Sequence, residues 1–356
     1  MPITHRLISR RRLAALGLAT VLSATLVGCS DASESAGEGA SPSASAPQTV
    51  VLYSGRSEEL VGPLIEKFEA ATGITVETRY GSTTEMAAQL LEEGDKSPAQ
   101  VFLSQDAGAL GAVADAGLFT TLPTEVSGAV DPKYTSRDGS WVGLTGRARV
   151  IVYDGQKLKA DEVPAEVTAL TAPEWKGRVG IAPTNASFQA FVTALRVSEG
   201  EAAAEKWLTD LKANDVKIFE GNGQILEAVN TGTLDTGLIN HYYWFETASE
   251  VGADKMRAQL KYGKPGSTSA LVNVTGAGVM KGNEENAAAN ELVAWLVGKD
   301  AQAYFVEQTY EYSLVPGAAG PKGAPAFADL QGPDLDLADL ASLEETVALL
   351  QKVQLV

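Results

Sequence analysis

From Val50 onward the sequence alternates short apolar runs with amphipathic segments of helical period, and this alternation constrains the fold more than any other feature. Residues 50–53 read as a strand, and 58–71 then place Val61, Leu64, Ile65 and Phe68 on one helical face. Residues 74–80 alternate apolar and polar side chains as a strand does, and 83–93 carry Met86, Leu90 and Leu91 as a helix does. A strand at 100–104 and a helix near 106–116 repeat the unit. Strand-helix order at this spacing predicts an α/β fold built on a parallel sheet. Residues 141–154 form one strand-like run, unusually long for a single lobe, and are read as a crossing between two lobes. A second set follows, with strands at 179–182, 216–219 and 236–240 and helices near 187–197, 202–213 and 225–231. Residues 271–280 read as a return crossing, and 291–297, 300–307 and 343–353 as terminal helices. The expectation is two α/β lobes joined by hinge crossover strands, with a ligand cleft between them. Lobe 1 would comprise 49–148 and about 274–315, and lobe 2 would comprise 149–273 and about 320–356.

Ahead of this body, residues 1–28 read as an export signal: four arginines, no acidic residue, then an apolar run from 13 to 28. That run is short for a membrane span, which needs ~20 residues. Leu26-Val27-Gly28-Cys29 resembles a bacterial lipobox, so Cys29 is expected to be lipidated and to become the mature N-terminus. Ser9-Arg10-Arg11 also resembles a twin-arginine signal, leaving the export route open between the two systems. Residues 29–48 hold no large apolar side chain after the cysteine, and read as a flexible tether. The protein is therefore expected on the outer face of the cytoplasmic membrane, held only by its lipid.

Several functional classes fall away on residue content. Cys29 is the only cysteine, so with it acylated neither disulfides nor thiolate metal sites remain. Removing the signal's four arginines leaves 24 basic residues against 45 acidic, a net charge of −21. Such a surface repels phosphate backbones, and nucleic acid is not expected as a partner. A Ser-His-Asp hydrolase needs an imidazole, and past the signal the chain has one, His241. Gly55-Arg56-Ser57-Glu58-Glu59 lacks the last glycine of a nucleophile elbow, and 221–226 miss the dinucleotide fingerprint at its final position. No HExxH or Cys/His zinc spacing occurs. The chain is not expected to be an enzyme, and a secreted hydrolase stays only as a remote option.

Chemistry concentrates in Asn240-His241-Tyr242-Tyr243-Trp244, directly after the strand at 236–240. Neighbours on a strand point to opposite faces, so two tyrosines serving one site require the chain to turn out of the strand there. A turn into a helix would do it. Phenolate is a hard anionic oxygen ligand, and a bound cation can deprotonate a phenol whose ordinary pKa is near ~10. Read from composition, the same aromatic run also fits core packing or a stacking platform for an organic ligand.

A set of motifs bears on that choice. Leu52-Tyr53-Ser54-Gly55-Arg56, the run ETRYGS at 77–82, EEGDKSPAQV at 92–101, Gly146-Arg147-Ala148-Arg149, Pro183-Thr184-Asn185 and INHYYW at 239–244 resemble the periplasmic ferric-ion-binding proteins. These are the transferrin-like substrate-binding proteins of iron ABC importers. The similarity runs in order through most of the body and fades after about Tyr312. It implies a type II periplasmic-binding-protein fold, ferric iron as the transported ligand, a bound synergistic anion (carbonate or phosphate), an ABC permease as partner and a monomeric protein. Position by position, Tyr242 and Tyr243 match the iron-ligand pair. Asn185, Ser187, Asn222 and Asn240 fall where some members cradle phosphate, and Arg147 or Arg149 falls where others hold carbonate. Side chains at 147 and 149 share one face of a strand and could both reach the cleft rim. Where relatives carry a ligand histidine this chain has Ser57, with Glu58 beside it. Where they carry a ligand glutamate it has Gln105, and where some carry a third tyrosine it has Phe188. Glu58 and Gln105 are the remaining candidates for the metal, and His241 is expected at the rim or surface. The competing ligand class is an organic solute of the same fold, a polyamine or a phosphorylated metabolite. It would be stacked on Tyr242, Tyr243 and Trp244 and held by Arg147 and Arg149.

Overall fold

A computed structural model describes residues 48–356. The signal sequence, Cys29 and the tether up to 47 lie outside the described residues. The strands are β1 (Thr49–Ser54), β2 (Thr75–Tyr80), β3 (Val101–Ser104), β4 (Val142–Asp154), β5 (Val179–Ile181), β6 (Lys217–Ile218), β7 (Thr236–Asn240), β8 (Ala258–Tyr262), β9 (Val272–Val279) and β10 (Tyr312–Ser313). The helices are α1 (Glu58–Thr72), α2 (Thr83–Glu93), α3 (Ala107–Asp115), α4 (Thr124–Ser127), α5 (Ala186–Glu199), α6 (Glu201–Ala213), α7 (Asn222–Asn230), α8 (Tyr242–Val251), α9 (Ala287–Leu296), α10 (Lys299–Gln308) and α11 (Leu343–Lys352).

Local sequence explains where the elements begin and end. α1 buries Val61, Leu64, Ile65 and Phe68, the face read from its period, and Gly73 stops it at φ 75°, a conformation that favours glycine. α2 opens with a reciprocal capping box between Ser82 and Glu85. The capping side chain of Asp106 starts α3, and that of Asn185 starts α5.

The strands form one path in the order β2-β1-β3-β9-β4-β7-β5-β6, with β8 and β10 also on β4. β1 runs parallel to β2 and β3, and β5 parallel to β6 and β7. The parallel pairing expected from strand-helix order holds within these two runs, and the sheet as a whole is mixed. β9 is antiparallel to β3 and β4, and β4 is antiparallel to β7, β8 and β10. A strand that carries the chain from one section of sheet to the other, and a second that brings it back, must run in opposite directions. The short strands β8 and β10, which carry little periodic signal, edge this junction.

β4 is the central element. All thirteen of its residues are buried. Up to Ala148 it pairs with β9, and from Arg149 it pairs with β7 and β8. Its alternation separates two cores: Ala148, Val150 and Val152 pack with Ile225, Leu226, Val229 and Ile239, whereas Ile151 and Tyr153 join the larger cluster. Arg147 and Arg149, in step with Ile151, therefore lie on the same face of a strand whose hydrogen-bonding partners change between them. At the C-terminal end, 337–341 pack on α3 while α11 packs on α5. Among the described residues no helix is long and apolar enough to cross a membrane.

Candidate functional site

β7 ends at Asn240, and His241 already has helical dihedrals (φ −58°, ψ −39°), so the alternation of the strand stops one residue before the tyrosines. Tyr242 and Tyr243 open α8 and stack on one another, with ring centroids 4.4 Å apart and planes 26° from parallel. Tyr242 is 1% exposed. Tyr243 is half-buried, and its ring approaches the first turn of α7 at Gly223. A helix N-terminus carries partial positive charge from its unpaired N–H groups, which favours the anionic form of a phenol placed there.

The residue that anchors this turn, His241, is fully buried rather than at the cleft rim or surface. The His241 backbone N–H donates to the Ala148 carbonyl at 3.0 Å, and its Nδ1 accepts from the Ala148 N–H at 3.2 Å. One face of the imidazole stacks on Tyr312 at 4.8 Å, and Tyr242 and Phe245 meet it edge-on. Burial drives its pKa down to about 3, so the ring is neutral. His241 thus fastens the tyrosine-bearing turn to β4 at the residue where that strand changes partners.

Two separate clusters of cations surround the pair. In the first, Arg149 Nη1 donates to Ser187 Oγ (3.1 Å), Asn222 Oδ1 (3.1 Å) and Asn240 Oδ1 (3.4 Å), and Nη2 donates to the Leu238 carbonyl (2.9 Å). Asn222 Nδ2 donates to Ser187 Oγ at 3.0 Å and to Asn185 Oδ1 at 3.3 Å. Five of the candidates, Arg149, Asn185, Ser187, Asn222 and Asn240, are therefore one hydrogen-bonded network at the starts of α5 and α7 and the end of β7. Asn222 sits at the first helical position of α7 with its side chain buried in this network.

Arg147 belongs to the second cluster. It lies 3.5 Å from the Glu311 carboxylate, which also receives Arg56 at 3.2 Å, and all three side chains are essentially fully buried. The Arg56 guanidinium lies 5.6 Å from the centroid of the Tyr242 ring. Arg56 is held here because Gly55 lets the loop after β1 close on the start of α2: a Cβ at Gly55 would stand 2.0 Å from Thr83 Oγ1. Arg147 Nε and Nη1, all three Arg56 guanidinium nitrogens, Gln105 Nε2 and Asn273 Nδ2 are buried with no hydrogen-bond partner among the described residues. So many orphaned donors around one place fit an anionic ligand.

Electrostatics follow from burial and proximity. Burial, reinforced by Tyr243, raises the Tyr242 pKa well above the usual phenol value, while Arg56 and Arg147 pull against that rise. Burial brings Arg149 down to about 9, with Tyr243 and Tyr242 opposing the drop. Burial, then repulsion from Arg56, lowers Arg147. Burial also works against the Arg56 charge, but Glu311, Tyr242 and Tyr243 outweigh it and its pKa stands above the ordinary guanidinium value. The lowered values of Arg147 and Arg149 mark cations that added negative charge would stabilise.

The remaining candidates separate. Glu58 is exposed in the first turn of α1, beside exposed Ser57. Gln105 is partly buried at the end of β3, its N–H donating to Thr83 Oγ1 at 3.0 Å. Phe188 is core, stacked with Trp207 and lying 5.9 Å beneath the Arg149 guanidinium. Among the described residues no group of three or more His, Cys, Asp and Glu side chains is set to hold a metal ion. Sequence reasoning missed Arg56 as a site residue, although it lies within a quoted motif. It also missed Glu311, which has no local signal and follows the left-handed residue Tyr310 (φ 55°).

Residues 96–329 match the family model described as bacterial extracellular solute-binding protein. The chain is 36% identical over 301 residues to the Fe(3+)-binding periplasmic protein of Serratia marcescens, covering 84% of this chain and 88% of that one. It is 34% identical over 307 residues to the major ferric iron-binding protein of Neisseria meningitidis serogroup B, covering 85% and 92%. The crystal structure of iron-bound HitA from Pseudomonas aeruginosa superposes with a TM-score of 0.82 at 34% identity, covering 86% of this chain and 99% of that chain.

Proposed function

The chain belongs to the bacterial extracellular solute-binding protein family and has the type II periplasmic-binding-protein fold, and on that premise we propose that it captures ferric ion and delivers it to an ABC permease. Like its relatives it is a binding protein of transport, not an enzyme. The observation that carries the ferric reading is the stacked Tyr242–Tyr243 pair at the start of α8, Tyr242 buried and Tyr243 half-buried, with three buried arginines around it. Those cations ease the loss of the phenol protons, and a trivalent ion then holds the phenolates in place.

Two phenolates leave the ion with residual positive charge, and burying that charge uncompensated would be costly. We assign its neutralisation to a small anion, carbonate or phosphate. The unpartnered nitrogens of Arg56 and Arg147 support one side of such a site, and the Arg149, Asn185, Ser187, Asn222 and Asn240 network supports the other. Glu58, exposed on α1, and Gln105, a neutral amide, are weaker candidates for the metal. The change of partner along β4 at Ala148 and Arg149 supports a hinge there, with lobe 1 before it and lobe 2 after it. Lipidation at Cys29 would hold the protein as a monomer at the outer face of the cytoplasmic membrane, beside the permease.

A titration of iron-free protein with ferric citrate, followed in the visible, tests the reading. Iron-phenolate charge transfer should give a coloured complex. A colourless mixture with an unmoved melting temperature overturns it. The same titration in buffer freed of carbonate and phosphate should show much weaker binding, restored by adding one of them. A second reading, a phosphorylated metabolite, is favoured by the orphaned arginine nitrogens and would bind without colour. Three buried arginines argue against a polyamine.

A further inference from the structure

The proposed ferric site leaves one buried charge without a task, the carboxylate of Glu311. It is fully buried just before β10 and meets Arg56 Nη2 at 3.2 Å and Arg147 Nε at 3.5 Å. It accepts from Thr309 Oγ1 at 3.1 Å and from Thr275 Oγ1 of β9 at 3.4 Å. These four partners come from the loop after β1, from β4, from β9 and from the end of α10. Among the described residues it is the only carboxylate within 4 Å of either guanidinium. Asp106, the other buried carboxyl near Arg147, is occupied in capping α3 through its Oδ1.

A purely structural ion pair would use its donors. Here the arginines sit close enough to Glu311 to share its charge, yet their nitrogens are not aligned into hydrogen bonds with it. A buried donor left unmade is destabilising, by about 1–3 kcal/mol for a typical group, so such an arrangement points to a ligand that takes these donors. Among these three groups two guanidinium charges stand against one carboxylate, with the Asp106 carboxyl as a further neighbour of Arg147. We infer that Glu311 is a positioning residue that sets how much positive charge Arg56 and Arg147 present, and so how tightly and at what ionic charge the site beside Tyr242 accepts a small oxyanion. Without Glu311 the pair would bind oxyanions strongly before iron arrives. With it, anion and iron depend on one another. This inference rests on the ferric reading for the role of the anion, but not for the anion binding itself.

The test uses the purified iron-free protein titrated calorimetrically with inorganic phosphate and, separately, with bicarbonate. Wild type is compared with Glu311→Gln, which removes the charge at nearly constant shape, and with Glu311→Asp, which keeps it. Deleting a unit charge a few ångström from the anion should tighten binding in Glu311→Gln on the order of tenfold to a hundredfold. Glu311→Asp should stay within about threefold of wild type, because the charge is retained. Equal affinities in wild type and Glu311→Gln overturn the inference. So does a Glu311→Asp variant that moves with Glu311→Gln, because shape would then matter rather than charge. If Glu311→Gln does not fold, as judged by circular dichroism, Glu311→Met, neutral and of similar length, takes its place, with tighter anion binding expected and affinity equal to wild type overturning the inference. A ferric citrate titration separates the two readings. Anion affinities as expected with no iron colour in wild type leave Glu311 its role and remove the iron. Iron colour with unchanged anion affinities does the reverse.

Discussion

Taking the iron-free protein from about pH 7.5 to about pH 5 should weaken it through a single imidazole, that of His241. The ring is fully buried, its Nδ1 accepts from Ala148, and Tyr312 covers one face, so the folded state resists protonation. Its pKa falls from the ordinary 6.5 to about 3 on folding. A histidine depressed in this way binds its proton first in the unfolded chain. The stability it permits is complete above pH 6.5 and is lost as pH falls through 6.5 toward 3. Near pH 5 the unfolded histidine is about thirtyfold biased to the protonated form, while the folded one remains neutral, which corresponds to about 2 kcal/mol. Carboxylates titrate in the same window, so the contribution has to be isolated by difference. His241→Asn does this, because its amide oxygen can still accept from Ala148 but does not titrate. Urea unfolding of both proteins at the two pH values should show wild type losing about 2 kcal/mol more than the variant. Parallel losses would refute the argument, since they would mean that His241 protonates as readily folded as unfolded.

Four further outcomes are expected. Tyr242→Phe or Tyr243→Phe should abolish or strongly shift the visible band. Each should also weaken ferric binding by more than about 100-fold, beyond the loss expected for an outer-shell partner, measured by competition with citrate. Because the folded Tyr242 pKa lies well above the phenol value, protons compete with iron, and ferric affinity should fall about tenfold per unit drop in pH for each phenol proton displaced. Small-angle scattering should give a smaller radius of gyration with iron than without, because a ligand shared by two lobes stabilises only the closed state, and identical curves would argue for a rigid site. Cys29→Ala should release the protein from the membrane fraction, and unchanged fractionation would count against the lipid anchor.

The elements most legible in the sequence are those whose evidence is local. The buried face of α1, the capping box of α2 and the long run of β4 all follow from periodicity and end signals within a dozen residues. The Tyr242–Tyr243 pair was legible too, together with the requirement that the chain leave the strand before it, which His241 meets by taking helical dihedrals. Strand direction was legible where helices separate the strands, and β1, β2 and β3 lie parallel as expected, but not at the junction, where only the crossing of β4 and the return of β9 decide it. Nor was the burial of His241, which depends on Ala148 and Tyr312, both remote in sequence. The arginines divide for the same reason. On β4 alone Arg147 and Arg149 are equivalent, two residues apart on one face. Between them the strand exchanges β9 for β7, so Arg149 meets the amides at the starts of α5 and α7 while Arg147 meets Arg56 and Glu311. The sequence by itself determined the elements and the tyrosine pair, because both are written in neighbouring residues. Only the tertiary structure decided which charges share a buried space, because that depends on where distant segments cross.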